Sequence, residues 1–523
     1  MCRKLPIGIQ NFEDLRKNEY MYIDKTDYIY KLVHDGKPYF LSRPRRFGKS
    51  LFLSTLRAYF EGKKELFEDL KITKLEKDDP DAWQEYPVFY FDFNQKNFKK
   101  EFALEEVLDA HLSEWERIYG DEYSAKPLEE RFQRLIVKAV ERYGRNAVVL
   151  VDEYDKSLLE AAGSEMMEHN KAVFKGFFST LKSYDGYLKF VFITGVTKFS
   201  KVSIFSDLNQ LKDISLLPVY SGICGITEDE IRKNLEPEVS ELAEANDLSL
   251  DDCYAELKKM YDGYHFSDNS EGVYNPFSLL NALMDKRFDL YWFSTGTPTF
   301  LIDKLKSSGF DAKQFTSGDY YVDASMLTDY RIESVNPVPL FYQTGYLTIK
   351  GYDKEFRSYL LGYPNDEVEY GFLNSIAPYY LKSEDDTKPL DIRNFVRDIR
   401  NGNVDGFRDR LTALFARLPY PDDEQVVEQN FQNVIYIVFM LMGQYVQAEI
   451  HSTKGRADVI AESDDYVYIF EFKRDKSAEE ALKQIEDQGY AVPYKADKRT
   501  VYKIGVNFSS KDRTIDGWIV EKN

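Results

Sequence analysis

Two groups of residues in this 523-residue chain have the types and spacing to do chemistry. The first is Arg43-Pro44-Arg45-Arg46-Phe47-Gly48-Lys49-Ser50, set between an apolar run at 38–42 and a helical run at 51–60. Backbone N–H groups at a helix N-terminus point at an anion, and the helix dipole favours negative charge there. Gly48 lets the backbone approach a phosphate closely. Lys49 would reach the β and γ phosphates, and the Ser50 hydroxyl would ligate Mg²⁺. The segment departs from G-x4-G-K-[ST] once, because Arg43 stands at the first glycine position. Taken alone it also reads as a basic helix start on the surface. About 100 residues later, Ala147-Val148-Val149-Leu150-Val151 ends in Asp152-Glu153. Asp152 would hold Mg²⁺ through water, and Glu153 would polarise an attacking water. A third run ends in Ile193-Thr194-Gly195. Thr194 there reads equally as a γ-phosphate sensor or as a strand cap.

The second group lies near the C-terminus. Asp458 precedes Glu471 and Lys473 in the pattern D-x12-E-x-K, and Glu449 comes before them. Residues 471 and 473 are two apart on a strand, so their side chains share one face. Asp458 and Glu471 would hold Mg²⁺, a hard cation that takes oxygen ligands and keeps several waters. Such an ion steadies charge on a scissile phosphate and lowers the pKa of bound water. Lys473 would position that water or offset the developing charge. E-x-K is common, and a salt pair at a solvated strand edge is its bland explanation. His451 reads as a structural histidine, and Tyr490 and Tyr494 as packing residues.

These side chains need elements to place them. Short apolar runs at 38–41, 87–91, 147–151 and 190–193 read as buried strands. Helical patterns at 103–119, 127–143 and 165–184 lie between them. Strands alternating with helices predict an α/β domain with a mostly parallel sheet. From about residue 225 the character changes, and 228–256 hold eleven acidic and two basic side chains. Residues 225–375 read as mixed and mostly helical, aromatic-rich, with a strand-like end at Gly345–Ile349. By position this is a lid followed by a small helical module, a winged helix being one reading of it. Residues 383–389 read as a hinge or loop. The last stretch predicts α-β-β-β-α-β, with a helix at about 428–444 and strands at 446–450, 457–461 and 466–472. A helix at about 477–491 and a strand at 501–508 complete it. The expected domains are 1–224, 225–382 and 383–523.

Composition bounds the rest. Hydrophobic residues at 43% and aromatics at 15% exclude a disordered chain. A net charge of -20 argues against general polyanion binding, although a local basic cleft can sit on an acidic body. Residues 441–523 carry 13 basic and 15 acidic side chains, so this module is nearly neutral. Cys2, Cys224 and Cys253 are too few and scattered for a disulfide framework or thiolate zinc site, and a reducing, cytoplasmic setting is expected. No stretch approaches about 18 uncharged apolar residues, so no membrane span is expected.

Several separated motifs carry a resemblance. The loop 43–50, Asp152-Glu153-Tyr154-Asp155 and Phe199-Ser200-Lys201-Val202-Ser203-Ile204-Phe205 resemble the AAA-ATPase-like family of bacterial and archaeal proteins. Leu5-Pro6-Ile7-Gly8, Tyr22-Ile23-Asp24-Lys25-Thr26 and Tyr261-Asp262-Gly263-Tyr264 fit it as well. The resemblance spans essentially the whole chain. It implies a P-loop core with an additional strand, in which a missing first glycine is usual, and places Arg45 and Arg46 near the nucleotide. The C-terminal pattern is similar to the PD-(D/E)XK nuclease superfamily, with Gln484 at its frequent accessory glutamine and Glu449 at its optional early acid. The expected fold class is therefore α/β: a P-loop NTPase parallel sheet, a mainly helical middle and a restriction-endonuclease-like C-terminal domain. The expected function is ATP binding and hydrolysis, with ATP and Mg²⁺ as cofactors, joined to a Mg²⁺-dependent nuclease acting on nucleic acid. The alternative is an ATP-dependent switch or scaffold whose nuclease-like domain binds nucleic acid or protein without cleavage. Either is compatible with an oligomer.

Overall fold

The structure, a computed structural model, describes residues 3–36, 38–94, 96–198, 211–294, 301, 320–328, 336–380, 392–416, 424–443, 446–450 and 458–522. The chain divides into two compact units: residues 1–296 with 321–367, and residues 297–320 with 368–523.

In the first unit the apolar runs become strands β1 (Pro38–Ser42), β2 (Val88–Asp92), β3 (Ala147–Asp152) and β4 (Leu188–Gly195), with a short β5 (Lys212–Asp213). They form one sheet in the order β2-β3-β4-β1-β5, and every pairing is parallel. All six positions of β3 are buried. A continuous apolar run without alternation is what a parallel strand covered on both faces requires. Helices α1 (Lys49–Phe60), α2 (Ala103–Tyr119), α3 (Leu128–Tyr143), α4 (Lys156–Glu160) and α5 (Met166–Ser183) make the crossovers. β4 stands between β1 and β3, the additional strand that the resemblance implies. Because all the strands run the same way, the segments after β1, β2, β3 and β4 emerge at one edge of the sheet. Ligands in open α/β sheets bind at that edge.

The acidic segment forms α6 (Glu228–Asn234), α7 (Glu236–Ala245) and α8 (Leu250–Tyr261), followed by α9 (Pro276–Asp285). Thr227 and Glu230 form a reciprocal cap at the start of α6. Ile231, Val239, Leu242, Leu257, Tyr261 and Leu279 point inward together, leaving most of the carboxylates at the surface, with Glu238 buried against Arg3. The strand-like end expected at 345–349 starts later. Helix α10 (Val338–Thr344) ends on Gly345 at φ +92°, and β7 (Thr348–Asp353) begins beyond it. A left-handed cap must close the helix before the chain can extend. β7 pairs antiparallel with β8 (Ser358–Gly362), and β6 (Tyr320–Asp323) adds a third strand in the order β6-β8-β7.

In the second unit, α11 (Ile392–Arg400), α12 (Val404–Phe415) and α13 (Glu424–Met442) lead into β9 (Gln447–Ile450), β10 (Val459–Glu462) and β11 (Tyr466–Arg474). Then come α14 (Ala478–Asp487), β12 (Thr500–Ser509) and β13 (Thr514–Lys522). The sheet order is β13-β12-β11-β10-β9, with β11 and β12 parallel and the other pairs antiparallel. One face packs Phe470 against Phe407 and Phe439, and Phe508 against Phe415. The other packs Val467, Ile469 and Val501 against Leu482 and Ile485 of α14. β13 extends the expected order by one strand. It is an edge strand with a single buried position, Ile515, so its pattern carries little signal. The loop read at 383–389 lies outside the described residues. Among the described residues, no helix is long and apolar enough to cross a membrane.

Candidate functional site

The phosphate-type loop joins β1 to α1. Gly48 sits at the N-cap of α1 at φ +89°, a conformation that favours glycine. Arg46 is also left-handed, at φ +69°. Lys49 is buried, and its Nζ donates to the carbonyl oxygens of Arg43 at 2.9 Å and Pro44 at 3.0 Å. The loop thus curls around its own lysine.

Arg43 explains how the loop forms without its first glycine. Its guanidinium is 1% exposed and donates to the carbonyl oxygens of Ser42, Ser215 and Tyr220. It also lies 3.9 Å from the ring centroid of Phe266. Phe47 packs edge-on against Tyr264 and Phe266, with centroids at 4.7 and 5.6 Å. The loop therefore leans on the segment after α8, which includes Tyr261-Asp262-Gly263-Tyr264.

At the end of β3, Asp152 is 1% exposed and accepts from Thr194 Oγ1 at 2.7 Å. The Ser50 hydroxyl also bonds to it. Burial pushes the Asp152 carboxyl up, and its bonds to Ser50 and Thr194 oppose that rise. Ser50, Asp152 and Thr194 are thus brought together, and the hydroxyl and carboxylate fit a magnesium ion. Glu153 is half-buried and left-handed at φ +50°. A strained non-glycine backbone of this kind clusters at functional sites.

Asp155 has a role that the spacing did not reveal. It is buried and accepts the backbone N–H groups of Val196 and Thr197, the latter at 2.6 Å, together with the Thr197 hydroxyl. Tyr154 donates its hydroxyl to the Thr197 carbonyl. A Cβ on Gly195 would lie 2.7 Å from Asp155 Oδ1. Residues 152–155 therefore hold the end of β4 in place. The signal was an acid three residues beyond Asp152, but its partners are 41 and 42 residues away and only folding shows them. The companion segment 199–205 lies outside the described residues.

A cavity of about 530 Å³ opens at this edge, within the usual range for small-molecule sites. Arg45, Arg46, Gly48, Lys49, Ser50 and Glu153 line one part. Ile7, Ile9, Ile226, Pro276, Phe277 and Leu280 give it an apolar part. A polar, cationic region joined to an apolar one suits a nucleotide, with phosphates and base at opposite ends. Arg46 lies 4.8 Å over Phe277, whereas Thr194 and Asp152 stand behind the lining. Asn94 and Lys156 also line the cavity and escaped the sequence reading, since neither belongs to a phosphate motif.

In the second unit, β11 carries Glu471 and Lys473. Lys473 Nζ donates to Glu471 Oε1 and to Gln484 Oε1, each at 2.7 Å. Gln484 reaches back toward Tyr490. Asp458 Oδ2 accepts the Phe472 N–H at 2.8 Å, which brings it to the same strand. The four predicted residues therefore converge. Glu471 is 1% exposed, and its Oε2 is buried without a hydrogen-bond partner. Burial raises its pKa, and nearby Asp458 raises it further. Two carboxylates, one with an orphaned buried oxygen, fit a divalent cation. Asp458 and Glu471 offer only hard oxygen ligands, the kind Mg²⁺ takes. His451 and the Glu449 side chain lie outside what the structure describes.

A family model described as predicted AAA-ATPase matches residues 6–205. A model of the PD-(D/E)XK nuclease superfamily matches residues 426–518. A protein of Azotobacter chroococcum mcd 1, described as an uncharacterized protein in the vnfD 5' region, is 34% identical over 538 residues and is matched over 99% of both chains.

Proposed function

Because this chain belongs to the AAA-ATPase-like family and carries a C-terminal domain of the PD-(D/E)XK nuclease superfamily, we propose that it hydrolyses ATP at the β1–α1 edge and cleaves nucleic acid at the β11 site. The observation that carries the first half is the convergence of Lys49, Ser50 and Glu153 on one cavity with Asp152 behind them. Lys49 exchanges its carbonyl partners for phosphate oxygens. Glu153 orients the attacking water and takes its proton. Thr194 keeps the Asp152 carboxylate aimed at Ser50. Bound Mg²⁺ supplies charge neutralisation on the phosphates at both sites. In the second unit, Asp458 and Glu471 hold the acidic side of the site, and Gln484 orients Lys473 toward the scissile phosphate.

Nucleotide titration and turnover test the first half. Lys49→Ala should weaken ATP binding at least tenfold, since it removes charge-assisted hydrogen bonds. Glu153→Gln should keep ATP binding and lose about a hundredfold or more in turnover. The second half is tested with Mg²⁺ and Mn²⁺ on single- and double-stranded DNA and RNA. Cleavage lost in Glu471→Gln supports a nuclease. Binding without cleavage, equal in wild type and Glu471→Gln, would instead make the domain a recognition module.

A further inference from the structure

The cavity is lined by three lysines, and they are not equivalent. Lys25 Nζ is neutralised by both oxygens of Glu230 at 2.7 Å. Lys49 is held by two uncharged carbonyl oxygens. Lys156 resembles Lys49, not Lys25. Its Nζ donates to Asn94 O at 3.1 Å and Asn94 Oδ1 at 3.0 Å. Among the described residues no carboxylate pairs with it, in a chain with 89 acidic residues against 69 basic ones.

The fold explains why these groups meet. β2 and β3 pair in parallel with Asp92 opposite Asp152. Asn94 lies two residues past Asp92, and Lys156 begins α4 three residues past Glu153. Both line the cavity with Glu153, at the edge where the strands end. An ammonium held only by amide oxygens moves at small cost when an anion arrives, because a charged acceptor binds it more strongly. A triphosphate with its magnesium ion and a single lysine still carries net negative charge.

We propose that Lys156 is a second phosphate-binding cation that leaves Asn94 for a γ-phosphate oxygen and stabilises the transfer of that phosphoryl group to water. The inference rests on the ATPase reading above. In the step, the water oxygen bonds to Pγ as the bond from Pγ to the β,γ-bridging oxygen breaks. That electron pair stays on ADP, and the water proton passes to the Glu153 carboxylate. Lys156 offsets charge on the non-bridging oxygens throughout and remains protonated.

The test uses the full chain with Lys156→Met and Lys156→Arg. Affinities for ADP and for a slowly hydrolysed ATP analogue are measured beside turnover. Lys156→Met should weaken the analogue at least tenfold and leave ADP within about twofold, because only the γ-phosphate contact is lost. Turnover should fall about a hundredfold, with partial recovery in Lys156→Arg. Retained ADP binding shows that the pocket is folded. If Lys156→Met does not fold, Lys156→Gln, which keeps an N–H donor near Asn94, takes its place. An unchanged ratio of analogue to ADP affinity overturns the proposal and leaves the ATPase reading standing. Wild-type protein that binds nucleotide without turnover leaves that ratio to decide. Wild-type protein that binds no nucleotide removes both.

Discussion

Arg43 shows how a single residue can replace a backbone requirement. A P-loop glycine gives conformational freedom, whereas Arg43 donates three hydrogen bonds, one to Ser42 beside it and two that tie the loop to Ser215 and Tyr220. Burying a guanidinium is costly unless its N–H groups are satisfied, and here carbonyls and the Phe266 ring meet most of that need. Arg43→Gly restores the glycine of the general motif. It should nevertheless destabilise the first unit, by about 2–4 kcal/mol, since it leaves a cavity and unpaired carbonyls. It should not speed hydrolysis. Denaturant unfolding and turnover check both, and a variant as stable as wild type would show that Arg43 is not a strut. The position was visible in the sequence as a departure. Its purpose was not, because Ser215 and Tyr220 are more than 170 residues away.

At the scale of elements, the turn after α8 depends on one glycine. Gly263 has φ +90°, and an added Cβ would come 2.2 Å from the Pro364 carbonyl oxygen. That carbonyl belongs to backbone and has little room to yield. Gly263→Ala should therefore cost about 3 kcal/mol or more, combining a disfavoured conformation with a clash. The same turn carries Tyr264, which packs on Phe47 of the loop, so nucleotide affinity should fall as well. Thermal unfolding and ATP titration read the two effects. Strands β1 to β4 and helices α2, α3 and α5 were legible beforehand because buried parallel strands and amphipathic helices have distinct periods. Of the β7–β8 hairpin only the start at Thr348-Ile349 was, and β13 was not. The first follows a left-handed helix cap, and the second has too little buried surface to impose a pattern.

At the scale of the whole molecule, stability in the first unit should respond to pH through Glu367. This carboxyl is fully buried and accepts the Trp292 N–H at 2.7 Å. Burial is the main cause that pushes its pKa up to about 7 from an ordinary 4.5. A raised pKa means that the native state holds the proton more tightly than the unfolded chain. The contribution is fully present below about pH 4.5 and is lost as pH rises through about 7. Between about pH 5.5 and 8 it should lower unfolding free energy by about 2 kcal/mol. Glu367→Gln should flatten that slope, and unfolding curves of the two proteins across this range would show it. Read by itself, the order of residues settled which segments become strands β1 to β4, where the phosphate loop lies, and that Glu471 and Lys473 share one face of β11. Those are local facts, set by side-chain period and by neighbours a few positions apart. Only the tertiary structure decided that Arg43 braces the loop, that Asp155 holds the end of β4, and that Lys156 faces the cavity from Asn94. Each joins residues from separate strands or loops, and their meeting depends on sheet order and register, which no local spacing encodes.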